Sequence, residues 1–225
     1  MIFNCKLIGG RCLAGALALV CAQLCHAQGK ETSILDERVK AITIREPTIN
    51  LALSTIAREY HVPIGVEMAV KKKEQLDQEI AISLKDGTLR DLLNAVVKQD
   101  RTYNWKIVDE VVNVYPRDNH DPLLEDLLNT KIERFALGDN PTIYRIRNDI
   151  VELPEIRSKL EKARVTPHIV AYTGIDFERV GREFSMGVSN VTLQRLLNQI
   201  IRQSGVKFWI LNRFGENNEW LILNF

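Results

Sequence analysis

The stretch Thr88-Leu-Arg-Asp-Leu-Leu-Asn-Ala-Val-Val-Lys-Gln99 decides how the chain reads, because it returns as Thr192-Leu-Gln-Arg-Leu-Leu-Asn-Gln-Ile-Ile-Arg-Gln203. Each matched pair stands 104 positions apart, and a tryptophan follows each copy at the same distance, Trp105 and Trp209. Leu89, Leu92, Leu93, Val96 and Val97 fall at i, i+3, i+4, i+7 and i+8, one face of an amphipathic helix; Leu193, Leu196, Leu197, Ile200 and Ile201 repeat that face. Lys85-Asp-Gly87 is a turn, and Thr88 is placed as the N-cap or the first helical residue of the first copy. A duplicated packing unit accounts for these residues as architecture and leaves few for chemistry.

Around the first copy, Ala41–Ile44, Pro63–Val66 and Ile80–Leu84 read as strands, and a helix opening at Glu46-Pro47-Thr48 presents Ile49, Leu51, Leu53, Ile56 and Ala57. Trp105–Val108 and Val111–Tyr115 flank Asp109-Glu110 as a hairpin. Around the second copy, Ile132–Leu137 opens the unit, while Phe208–Leu211 and Trp220–Leu223 flank a longer loop. Pro141-Thr-Ile143 echoes Pro47-Thr-Ile49 at an offset of 94, whereas Pro167 echoes Pro63 at 104, so the second unit carries 10 extra residues around Arg145–Ile156. Pro154 favours a break there, followed by a helix over about Pro154–Ala163. Between the units, 117–130 is a linker; Pro116 just before it and Pro122 within it end strand pairing, and Leu123–Leu128 reads as a short helical bridge.

Each unit therefore reads as strand, helix, strand, strand, helix, strand, strand. The expectation is an α+β fold of two tandem small domains, 38–116 and 131–225, each with two helices packed on short mixed β-sheets. Lys71-Lys-Lys-Glu-Gln75 reads as a solvated loop. Trp105, Trp209 and Trp220 read as core residues opposite the helices, with Trp220 the most exposed of the three.

The first 27 residues have the order of a secretory signal peptide: Lys6 and Arg11, an uncharged run from Cys12 to Ala22, then Cys25-His-Ala27 at the cleavage site. That run, about 14 residues, is shorter than the roughly 20 that span a bilayer, so no transmembrane segment is expected after cleavage, and the mature protein is expected to be periplasmic or secreted. All four cysteines, Cys5, Cys12, Cys21 and Cys25, leave with the leader. The leader also takes two of 30 basic residues against 29 acidic ones, a near-balance that gives no footprint for nucleic acid. With 45% hydrophobic residues the chain is expected to fold rather than stay disordered.

Reactive constellations are sparse. His61 and His168 lie near equivalent ends of the first helices, but no ligand stands at i+4 to either, and they read as ordinary turn residues; His120, in the linker, reads as solvated. The pairs Glu59 with Glu67 and Asp176 with Glu178 are chance pairs in a chain with 26% charged residues. There is no Gly-x-Ser-x-Gly elbow, no cysteine nucleophile and no phosphate loop, so no catalytic, cofactor or metal residue is assigned.

Together, Ile42-Thr-Ile44, Leu51-Ala-Leu53 with Ile56-Ala57, Val62-Pro-Ile64, Ile82–Leu89, Leu92-Leu93, Tyr103-Asn-Trp105 and Val111–Pro116 resemble the secretin and TonB short N-terminal domain. The second unit is similar to it through Val191-Thr-Leu193, Leu196-Leu197 and Phe208-Trp209. The resemblance implies a small periplasmic α+β domain that works by contacting other proteins, without cofactor or catalysis. The partner it implies is an envelope protein such as a secretin, a TonB-dependent receptor or a signalling regulator. Those proteins follow the domain with a barrel or ring-forming region; no barrel strands follow in this chain, which is therefore not expected to be the pore or transporter itself. The expected contact is strand addition at sheet edges, with Ile132, Phe135 and Leu137 on one candidate edge and Trp220, Leu221 and Leu223 on the other. The alternative is a periplasmic small-ligand or cell-wall-binding module that uses a cleft between the units, with Arg145–Ile156 as a lid. Oligomeric state is left open by the sequence.

Overall fold

In the computed structural model, the described residues are 35–70, 78–139, 141–168 and 184–225. The leader, Lys71–Gln75 and the pair Asp176 and Glu178 lie outside them. The α+β expectation holds. In chain order the elements are β1 (Arg38–Val39), β2 (Ile42–Glu46), α1 (Ile49–Glu59), β3 (Ile64–Glu67), β4 (Ile80–Leu84), β5 (Gly87–Thr88), α2 (Leu89–Gln99), β6 (Tyr103–Val108) and β7 (Val111–Pro116). Then come α3 (Pro122–Leu128), β8 (Lys131–Leu137), α4 (Ile143–Val151), α5 (Pro154–Ala163), β9 (Thr166–Pro167), β10 (Met186–Thr192), α6 (Leu193–Ser204), β11 (Phe208–Phe214) and β12 (Trp220–Asn224).

The repeated helices form as their pattern requires. Leu89, Leu92, Leu93, Val96 and Val97 are buried on α2, and Leu193, Leu196, Leu197, Ile200 and Ile201 on α6. Thr88 caps α2 in a capping box with Asp91, and Thr192 accepts from the Arg195 N–H at the start of α6. Left-handed Arg164 ends α5 and left-handed Gly205 ends α6. The extra residues of the second half become a helix break and a new helix: α4 ends at Val151 and Pro154 occupies the first turn of α5.

Strand pairing recurs in the two halves. β2 pairs antiparallel with β4, as β8 does with β10; β6 and β7 form a hairpin, as do β11 and β12; β3 runs parallel to β7, as β9 does to β12. Short β1 and β5 continue the β2–β4 ladder.

The halves do not keep separate sheets, which corrects the expectation of one sheet per unit. β3 pairs in parallel with β11, in the register Phe208 to Ile64, Trp209 to Gly65, Ile210 to Val66 and Leu211 to Glu67. One six-stranded sheet results, in the order β6-β7-β3-β11-β12-β9.

The two halves also use opposite faces of this sheet. Ile64 and Val66 of β3 and Val112 and Val114 of β7 join the core with α1 and α2, and the small ladder completes that core with Ile44, Ile80 and Ile82. Residues between them point the other way: Gly65 lies under Trp209, and Asn113 accepts from Gln194 of α6. On β11, Trp209 and Leu211 join the second core with α3, α4, α5 and α6, while Phe208 and Ile210 pack against the first. A helix layer thus covers each side of the central strands. The parallel β3–β11 pairing requires this, because β6 runs antiparallel to β7 and so to β3, and a second half merely translated along the sheet would set β11 antiparallel to β3.

Candidate interaction surface

The seam between the halves is built first from β3 and β11. Ile64 N–H donates to Lys207 O at 2.8 Å and Met68 N–H to Leu211 O at 3.0 Å. A Cβ on Gly65 would fall within the Trp209 ring, against Cε2, Cζ2 and Nε1, so only glycine lets the indole lie flat on β3. Trp209 is held there by Nε1–H donating to Asn198 Oδ1 at 2.9 Å, and the Asn198 amide also donates to Val108 O at 3.1 Å. Both Asn198 and Trp209 are buried.

α6 meets the β6–β7 hairpin through charge as well. Arg195 lies 3.4 Å from Asp109 and Arg202 contacts Glu110. Asp109 and Glu110 adopt positive φ, the turn geometry that a two-residue hairpin needs. The inter-unit region is therefore filled by paired strands and packed side chains, where the alternative reading placed a cleft. A cleft of about 520 Å³ lies elsewhere, within the first half, beside Arg38, Lys40, Tyr60 and His61.

A buried polar group closes the far end of the seam. Glu67, between β7 and β11, contacts His120 Nδ1 at 3.2 Å through Oε1. Burial pushes the Glu67 carboxyl above the ordinary glutamate range, and His120 partly offsets this. His120 is half-buried against Glu67 and Tyr115, correcting its reading as a solvated linker residue. Asp121 caps α3 through the Leu123 and Leu124 N–H groups, and both of its oxygens accept from Arg213 Nη1 at 3.0 and 2.9 Å. Buried Tyr103 accepts from the Ala69 N–H, and burial pushes its hydroxyl up to about 12. These groups hold each other and the backbone; they form a structural joint.

The other sequence candidates are dispersed. His61 takes a left-handed φ at the end of α1, while His168 sits beside Phe214 and Trp220 at ring distances of 5.4 and 5.5 Å. Glu59 pairs with neighbouring Arg58 at the exposed end of α1, apart from buried Glu67. Among the described residues, no group of three or more His, Cys, Asp or Glu is gathered to hold a metal.

Of the two expected edges, β8 is an edge strand and β12 is not. Trp220, Leu221 and Leu223 belong to β12, which lies between β11 and β9; Leu221 and Leu223 are buried, and Trp220 is the most exposed tryptophan. β12 is an inner strand because β9, too short to read from sequence, pairs with its first residues. Ile132, Phe135 and Leu137 point into the second core from β8. The outer edge of β8 is partly blunted, since Glu155 of α5 accepts from the Glu133 N–H at 2.9 Å. The extra helix thus serves as an edge cover, a role different from a lid.

The long edge that ends the sheet is β6. Its sequence signal is the contrast with β11: Phe208-Trp-Ile-Leu211 is an unbroken apolar run, as suits a strand covered on both faces, whereas Asn104-Trp-Lys-Ile107 alternates. Trp105 repeats the tether of Trp209, with Nε1–H donating to Asn94 Oδ1 at 3.1 Å, but here the asparagine is exposed and the indole half-buried. No family model matches this chain, and no curated protein matches it.

Proposed function

We propose that this chain is an exported, non-enzymatic protein-interaction module, similar to the short N-terminal domains with which secretins and signalling TonB-dependent receptors contact their partners in the periplasm. The β3–β11 seam carries the reading. One half recognises the other through backbone strand pairing locked by a tryptophan over a glycine, which is a mode of protein recognition. The matched residues of the two halves support it further, because the threonine caps, the apolar stripes and the asparagine–tryptophan bonds are all committed to architecture. The leader-like start of the chain supports export.

The test is affinity capture with the mature protein from a cell-envelope extract, with partners identified and the pair then reconstituted from purified components. A single envelope protein that rebinds at defined stoichiometry is expected. Binding of peptidoglycan fragments or lipid without any protein partner, or turnover of a substrate by the purified chain, would overturn the reading.

A further inference from the structure

Strand β6 carries the edge chemistry that β11 uses on β3. Tyr103, Trp105 and Ile107 stand where Lys207, Trp209 and Leu211 stand in the second half, each 104 positions earlier. In β11 the outward carbonyls of Lys207 and Leu211 receive N–H groups from β3, and the indole, tethered to Asn198, lies over Gly65. In β6 the same tether, Asn94 to the Trp105 indole, holds the ring on the same helix face at the end of the sheet, where no further strand pairs among the described residues.

Two outward backbone groups of β6 are held by side chains. The Trp105 N–H donates to Asn104 Oδ1 at 2.9 Å, and Tyr103 O accepts from Arg117 Nε at 2.9 Å. Exposed side chains in these roles are exchangeable, since an incoming strand offers the same hydrogen bonds.

We propose, resting on the interaction-module reading, that β6 is a docking edge for an extended, glycine-bearing segment of a partner protein, which adds parallel to β6 with its glycine beneath Trp105. Parallel direction and register follow from the β3–β11 pair.

Two observations select this occupant. Phe208 and Ile210, which pack under the first half's helices, are replaced on β6 by exposed Asn104 and Lys106, so the incoming strand brings no apolar helix layer over that face. Within this chain the second half has no equivalent segment to offer, because Ile169 stands 104 positions after Gly65 and so puts a β-branched side chain in the glycine's place in the sequence.

The experiment uses the mature full chain and a peptide of its own β3 sequence, Val62 to Val70, beside the same peptide with valine at the glycine position. Binding is read from amide shifts of Asn104–Ile107 in NMR spectra. The glycine peptide is expected to saturate these shifts and the valine peptide to bind at least tenfold more weakly. W105A is expected to weaken the glycine peptide at least tenfold, and N104A, which frees the Trp105 N–H, to bind it more tightly; circular dichroism verifies that both variants are folded. Equal binding of the two peptides, no binding by the parent and by N104A, or undiminished binding by W105A would overturn the proposal and leave β6 as an edge sealed by Asn104 and Arg117. Concentration-dependent self-association that W105A abolishes would overturn it in favour of a second copy. An envelope partner that rebinds W105A like the parent would sink this site while the interaction-module reading stands.

Discussion

The two asparagine–tryptophan bonds form a matched pair with opposite burial, and truncating each asparagine tests what the seam contributes. In N198A the buried Trp209 indole N–H loses its acceptor, while the Val108 carbonyl loses one donor and keeps its hairpin pairing with Val111. A buried polar group left unsatisfied costs about 1–3 kcal/mol. The indole is fully buried and carries this cost, since Val108 is half-buried and stays paired. The loss is roughly 1–3 kcal/mol, which for a chain of this size corresponds to a fall of roughly 2–12 °C in Tm. In N94A the Trp105 indole is half-buried and meets water, so the expected change stays within about 0.5 kcal/mol. Urea unfolding of both variants, followed by circular dichroism, gives the comparison directly. Equal losses in the two variants, or a loss below about 1 kcal/mol for N198A, would refute the claim that burial at the seam sets the value of this bond.

Three further outcomes follow from the same region. G65A forces a methyl into the Trp209 ring and is expected to destabilise by about 1–3 kcal/mol, with the penalty shrinking when combined with W209L; a double-mutant cycle in urea measures the coupling. R213M leaves the buried Asp121 carboxylate without its cation and is expected to cost about 3–5 kcal/mol, with D121N in the same chain returning part of the loss on chemical denaturation. Glu67, facing His120, Asp121 and Glu125, holds its proton more tightly in the folded than in the unfolded chain. Its contribution to stability is therefore full below the ordinary glutamate value of 4.5 and is lost as pH rises through the raised folded value. E67Q is expected to flatten that slope in a stability-against-pH series, and an unchanged slope would show that other groups set it.

Local elements were legible because their causes are local. The leucine stripes needed only helical spacing, Thr88 its place ahead of a stripe, and α5 the position of Pro154. The hairpin turn at Asp109-Glu110 followed from two alternating runs held two residues apart. The shared sheet has no such local cause. Nothing near Ile64 indicates that it will meet Phe208, and only the unbroken apolar run of β11 hints that both its faces are covered. The β12 edge was misplaced for the same reason, since β12 becomes an inner strand through the two residues of β9; β8 does lie at the edge of its two-stranded ladder, with one N–H taken by a glutamate on a helix whose position the sequence does not specify. Buried Arg147 of α4, bonded to Asn224 at 3.1 Å, occupies the place of Leu53 in α1 and broke the apolar pattern by which that helix would have been matched.

Synthesis delivers β3 well before β11. Throughout that interval the nascent first half has Gly65 uncovered and one flank of β3 without its permanent neighbour, a ready acceptor for the wrong β-strand. A stop codon just before the linker would fix this interim state for good. Fragments ending near Pro116 should pair with whatever strand is at hand, including the β11 of an intact sister molecule.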